Sequence, residues 1–266
     1  LGIEDAGGEY PPVRVQTNAI LGPLPPGDLG LIPLVGKAIT ILSSGGLNML
    51  RAKPRIDPKA DAARRITGLT ALLAAGEARA VLVLVTTNLP MHARVHVRAI
   101  DELLRRISVY SRDPQLAKDI ADSQDLYHAE GLAKLTPADR ARISAADENI
   151  AQRVAALMAV SEKPVRITGH KNFRQAPAGL SEFERWAYSQ VEHGTVIAAA
   201  EIANRSNVPI DDLYQSHDGD LLLWITGGLI RSIVAHFIAW GVQVRPEFDE
   251  MNARLEKIAA NFSTGR

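Results

Sequence analysis

Cysteine is absent from these 266 residues, which excludes thiolate nucleophiles, disulfide scaffolding, Fe–S clusters and Cys-ligated zinc. Aromatic residues make up only 5%, and no Asn-Gly or Asp-Gly pair joins two alternating apolar runs, so the hairpin signal of an antiparallel sheet is missing. Neither sign of charge dominates: 30 Lys and Arg balance 30 Asp and Glu. No global field therefore recruits nucleic acid or acidic lipid, and such a partner would need a local patch. With 20 Gly and 15 Pro the chain is far from collagen-like or low-complexity composition. What is present, 46% hydrophobic and 23% charged residues, is the usage of a folded chain long enough for one large or two small domains.

Nucleotide and hydrolase templates are missing too. There is no P-loop, no glycine fingerprint following a strand, no nucleophile elbow and no EF-hand spacing. No cofactor and no metal are expected. Residues 1–30 carry Glu4, Asp5, Glu9 and a proline cluster without a basic stretch leading into an apolar one, so no secretory signal is expected. Two runs approach the length of a membrane span. Residues 31–50 are interrupted by Pro33, Lys37 and three glycines, whereas 221–242 are apolar on all sides but hold Arg231 and His236 near the middle. An arginine at a bilayer centre costs about 2.5–3.5 kcal/mol, so the expectation is a helix buried within the protein, no membrane and a cytoplasmic location.

Helix starts are the clearest local chemistry. Asp57-Pro58, Asp113-Pro114 and Thr136-Pro137 each place a side-chain acceptor before a proline that lacks only a donor it would not use. Ser181 and Glu184 form a capping box. Residues 90–112 repeat a helical pattern with Val95, Val97, Ile100, Leu103, Leu104 and Ile107, and the segment after Pro246 does the same with Phe248, Met251, Leu255, Ile258 and Phe262. The run AVLVLVTT at 80–87 has strand-like content but can equally prolong the helix begun at Pro58. The fold expected is all-α, a bundle of about seven or eight helices over 56–266, preceded by an irregular Pro/Gly-rich segment over 1–55 in which a short helix is possible. Loops are expected near 162–180, a basic stretch, and 205–219.

The segments VHVRAIDELLRRISVYSRDPQLAKDI (95–120) and YSQVEHGT (188–195) resemble the DUF5677-type proteins, an uncharacterised bacterial helical family. The resemblance covers roughly a third of the chain and implies a helical bundle without an assigned activity. It carries over Arg98, Glu102, Tyr188, Ser189 and His193. By helical spacing alone, Arg98 and Glu102 share a face, as do Ser189 and His193. If those faces meet, an arginine, a carboxylate, hydroxyls and an imidazole could hold a phosphate and move a proton. Equally, a buried arginine and glutamate could serve only to neutralise each other and set helix register.

Arg231 and His236 fit the arginine–histidine spacing of HEPN-type helical domains, many of which are metal-independent ribonucleases or defence components. That resemblance implies Arg231 orienting a phosphate and His236 acting in acid–base cleavage of RNA. About 1.7 such pairs are expected by chance in a chain of this composition, so context must decide. His92 and His96, one turn apart, could ligate a metal, but no third ligand is identified. Two functions follow as expectations. One is a non-catalytic interaction module or oligomer component with a protein partner or second copy, in antiphage defence. The other is an enzyme acting on RNA or nucleotide, with Arg98, Glu102, Tyr188, His193, Arg231 and His236 as its catalytic candidates.

Overall fold

The computed structural model describes residues 30–87, 89–145, 148–159, 163–168, 170–176, 178–192 and 218–264. Among them are eleven α-helices and no strand. They are α1 (Leu31–Arg51), α2 (Pro58–Thr86), α3 (Pro90–Arg112), α4 (Pro114–Asp122), α5 (Gln124–Ala133), α6 (Pro137–Ser144), α7 (Glu148–Met158), α8 (Lys171–Arg174), α9 (Glu182–Glu192), α10 (Asp218–Ala239) and α11 (Arg245–Thr264). The all-α expectation holds, with more helices than the seven or eight read from the sequence. One helix expected from Pro114 onward is broken at Ser123 into α4 and α5, and 80–87 continue α2. The loop expected at 205–219 falls mostly outside the described residues.

The chain divides into two compact units. The first comprises residues up to Ala52, Gly68–Ile107 and Ala178–Arg266; the second comprises Lys53–Thr67 and Ser108–Pro177. The divisions fall inside α2 and α3, so each of those helices contributes one end to each unit.

The first unit holds the main core. Within the 1–55 segment, where a short helix is the most regular structure expected, Leu31–Arg51 form a 21-residue helix whose Leu31, Leu34, Val35, Ala38, Ile39 and Leu42 are buried on one face. Its glycines are contact points. A methyl group on Gly45 would lie 2.4 Å from the Phe237 ring, and one on Gly46 would lie 2.9 Å from the carbonyl oxygen of Gly68 in α2. Each glycine weakens a helix by about 1 kcal/mol, which is why the stretch reads as broken. Packing against α10 and α2 outweighs that cost. From α10, Leu222, Leu223, Ile230, Ile233, Val234 and Phe237 enter the same core. Gly30, at φ +72°, starts α1 from the left-handed region that glycine adopts without strain.

The second unit is more polar and held by caps. Asp113 accepts from the Leu116 N–H at 3.0 Å and, through its other oxygen, from Asn172 Nδ2 at 2.8 Å. Thr136 caps α6 through the Asp139 N–H. Arg166, in the basic loop, donates to both oxygens of Glu130 at 2.7 and 2.6 Å and stacks over Tyr127. That guanidinium is a neutralised strut.

α1, α2 and the Gly219–Ala239 portion of α10 are each long and apolar enough to cross a membrane by length and composition. The shares of these apolar windows buried inside the protein are 56%, 44% and 50%. Of the three windows, that of α2 is the least buried.

Candidate functional site

The site is built on α3. Arg94, Arg98, Asp101 and Arg105 recur at steps of four, three and four residues, which puts them on one helical face. Beside that face Val97, Ile100 and Leu104 are buried. Asp101 is fully buried with them, and a carboxylate in that position must be compensated. It is: Oδ1 accepts from the backbone N–H groups of Gly179 at 2.6 Å and Leu180 at 3.0 Å. Oδ2 makes no hydrogen bond and lies 3.8 Å from Arg185 Nη1 of α9. Burial pushes the Asp101 carboxyl above the usual aspartate range, against the opposing pull of the two backbone N–H groups, Arg185 and Arg105. Arg185 Nη1 also donates to the Leu180 carbonyl at 3.0 Å, so one carboxylate and one guanidinium hold the Gly179–Leu180 turn between them.

That turn sets α9. Ser181 N–H donates to Glu184 Oε2 at 2.7 Å and Glu184 N–H to Ser181 Oγ at 3.2 Å, the reciprocal capping box expected from the sequence. Seven residues on, Tyr188 is buried with the Arg94 guanidinium 6.0 Å from its ring centre, within cation–π range. α3 and α9 thus touch through Arg94 and Tyr188.

The individual residues divide. Arg98 is half-buried on the arginine stripe. Glu102 accepts from Arg106 at 2.6 Å, one turn further along. Ser189 donates to the Trp186 carbonyl in its own helix. His193 lies outside the described residues. Arg231 donates to Asn252 Oδ1 at 3.0 Å, and Asn252 in turn donates to Glu256 at 2.8 Å. His236 is half-buried on the same helix as Arg231, but five residues turn a helix by about 140° beyond a full circle. The two side chains thus leave α10 in different directions. His96 Nδ1 is 2.7 Å from Glu77 Oε2 while His92 is exposed. Among the described residues no three metal-ligating side chains gather.

Asp101, Arg185 and the 179–180 turn were not identified from the sequence. The available signal was phase: Asp101 is a charged residue set among the buried positions 97, 100 and 104 of an amphipathic helix. Next to the same turn lies a groove of about 370 Å³ between the start of α9, α10 and α11. Its apolar lining includes Trp224, Ile225, Leu229 and Leu255, and its polar lining Glu184, Arg231, Ser232 and Glu256. Fold and site together define an all-α protein with a clamped, buried carboxylate beside an open amphipathic groove. No protein-family model, no curated protein and no solved structure matches this chain.

Proposed function

We propose that this chain is a non-catalytic helical interaction module that pairs with a second copy of itself through the outer face of α2. One observation carries this: Leu69, Leu73, Gly76, Ala80 and Val83 recur at steps of four, three, four and three residues. That is the 3.5-residue spacing of a helix–helix seam. Leu69, Leu73 and Val83 are 49%, 63% and 39% exposed, so among the described residues this seam lacks the partner its spacing is built for. A methyl group on Gly76 would meet nothing within 4 Å. The mid-helix glycine is thus unexplained by contacts within the described chain and suits close approach by another helix.

The stripe is nearly symmetric about Gly76. An antiparallel pairing with its two-fold axis there sets Leu69 against Val83 and Leu73 against Ala80, large against small, which is the self-complementarity a two-fold dimer requires. The expected result is a dimer by light scattering of the full chain without detergent, shifted to monomer by Leu73→Lys with an unchanged helical spectrum. A wild-type monomer, or a chain recovered only from membranes, overturns the proposal.

A second reading, an enzyme on RNA or nucleotide with kinship to the DUF5677-type family, is supported by Arg94, on the same helical face as Arg98 and Arg105, lying over the Tyr188 ring. Guanidinium groups beside a phenol suit a phosphate ester. On that reading wild-type protein cleaves RNA, and both Arg98→Ala and His193→Ala abolish cleavage without loss of fold. Cleavage that survives both substitutions, or no cleavage by wild type, eliminates it.

A further inference from the structure

The groove beside the Asp101 clamp has the composition of a small-ligand site. Its volume, about 370 Å³, is at the lower end of the range for such pockets, about 300–1,000 Å³. Adjacent glycines on α10 play different parts. A methyl on Gly227 would come 3.0 Å from Leu255, so that glycine lets α11 approach. Gly228 lines the groove and a methyl there would touch nothing within 4 Å. A side chain at 228 would improve the helix and fit without a clash, yet it would fill part of the groove.

The lining carries charges of both signs that the chain itself leaves partly unused. Arg231 spends one hydrogen bond on a neutral amide, Asn252, and no carboxylate among the described residues pairs with it. Its remaining donors suit a carboxylate. Glu184 and Glu256 each spend one oxygen on a neutral N–H, of Ser181 and of Asn252, leaving the other for a cation. Trp224, Ile225, Leu229 and Leu255 line the same groove.

We infer that the groove binds a small zwitterion with an apolar body, of the class of a free aromatic or branched amino acid. Its carboxylate meets Arg231, its ammonium meets Glu184 or Glu256, and its side chain lies on Trp224 and Leu229. A purely anionic ligand would face two carboxylates, and a purely cationic one would face the guanidinium, so only the zwitterion satisfies both signs of charge.

Titration calorimetry of the full chain tests this with three probes of one shape: L-phenylalanine, phenethylamine and 3-phenylpropionate. Phenylalanine is expected to bind, with each analogue at least about tenfold weaker, the loss of one charge-assisted contact. Arg231→Gln should weaken phenylalanine by about the same factor while leaving phenethylamine no weaker than in wild type. Gly228→Leu should abolish binding of all three. Circular-dichroism melts show whether each variant is folded, and Arg231→Gln decides the matter if Gly228→Leu is not. No phenylalanine binding by wild type, tighter binding of either analogue, or affinity unchanged in Arg231→Gln would overturn the assignment.

Discussion

Asp101→Ala is expected to destabilise the first unit by about 2–3 kcal/mol, the cost of taking the acceptor from two backbone N–H groups. The substitution leaves the N–H groups of Gly179 and Leu180 without their acceptor and Arg185 without its buried counter-charge. Urea denaturation followed by circular dichroism measures it, and a loss below about 1 kcal/mol would remove the clamp from the account. Asp101→Asn keeps an acceptor oxygen for the two N–H groups and should cost less, about 1–2 kcal/mol.

Wild type and Asp101→Asn also separate by pH. The Asp101 carboxyl is raised in the folded state by burial, so between the ordinary aspartate value, about 3.9, and the raised one, the native chain binds the proton that the unfolded chain has released. Stability from this group is complete below the ordinary value and is lost as pH rises through the raised one. Asp61 runs the other way. Partial burial pushes its carboxyl up, but the Arg55 N–H, Arg64 and Arg65 outweigh that and hold it low, so its contribution is present above the ordinary value and lost on acidification. The stability advantage of wild type over Asp101→Asn should therefore shrink as pH rises across the weakly acidic range. An advantage that grows with pH contradicts the assigned cause.

Phe237→Ala is the second large effect, about 3–5 kcal/mol. The ring is fully buried and lies where a Gly45 methyl would stand, 2.4 Å from it, so its removal opens a cavity at the crossing of α1 and α10. The cavity has a built-in repair. Gly45→Ala on its own forces the ring aside and destabilises, whereas in the Phe237→Ala background its methyl enters vacated space and should recover stability. Thermal or urea melts of the four proteins give the coupling. Additive effects would show that Gly45 and Phe237 do not share a contact.

Secondary structure was legible wherever a local signal sufficed. Asp113-Pro114, Thr136-Pro137 and the Ser181–Glu184 box start helices because the acceptors and the fixed φ of proline act within one turn of chain. α1 was hidden for the opposite reason: Gly45 and Gly46 weaken a helix locally, and the benefit that outweighs this comes from Phe237 and Gly68, far away in sequence. The seam on α2 was hidden in a different way. Leu69 and Leu73 look like core residues in any apolar helix, and only the burial of Ala71, Ala74, Ala75 and Ala78 on the opposite side shows which face remains outside.

Composition, caps and hydrophobic period alone determined a helical protein without thiol chemistry, and they placed α3 and α9 correctly along the chain, because these depend on interactions spanning a few residues. Tertiary structure decided that Asp101 and not Glu102 is the buried carboxylate, that Arg231 faces a groove in a different direction from His236, and that α2 turns leucines outward. Each of these depends on which side of a helix its neighbours cover, a choice made by packing between segments 78 and 79 residues apart in the case of the clamp, where Asp101 meets Gly179 and Leu180.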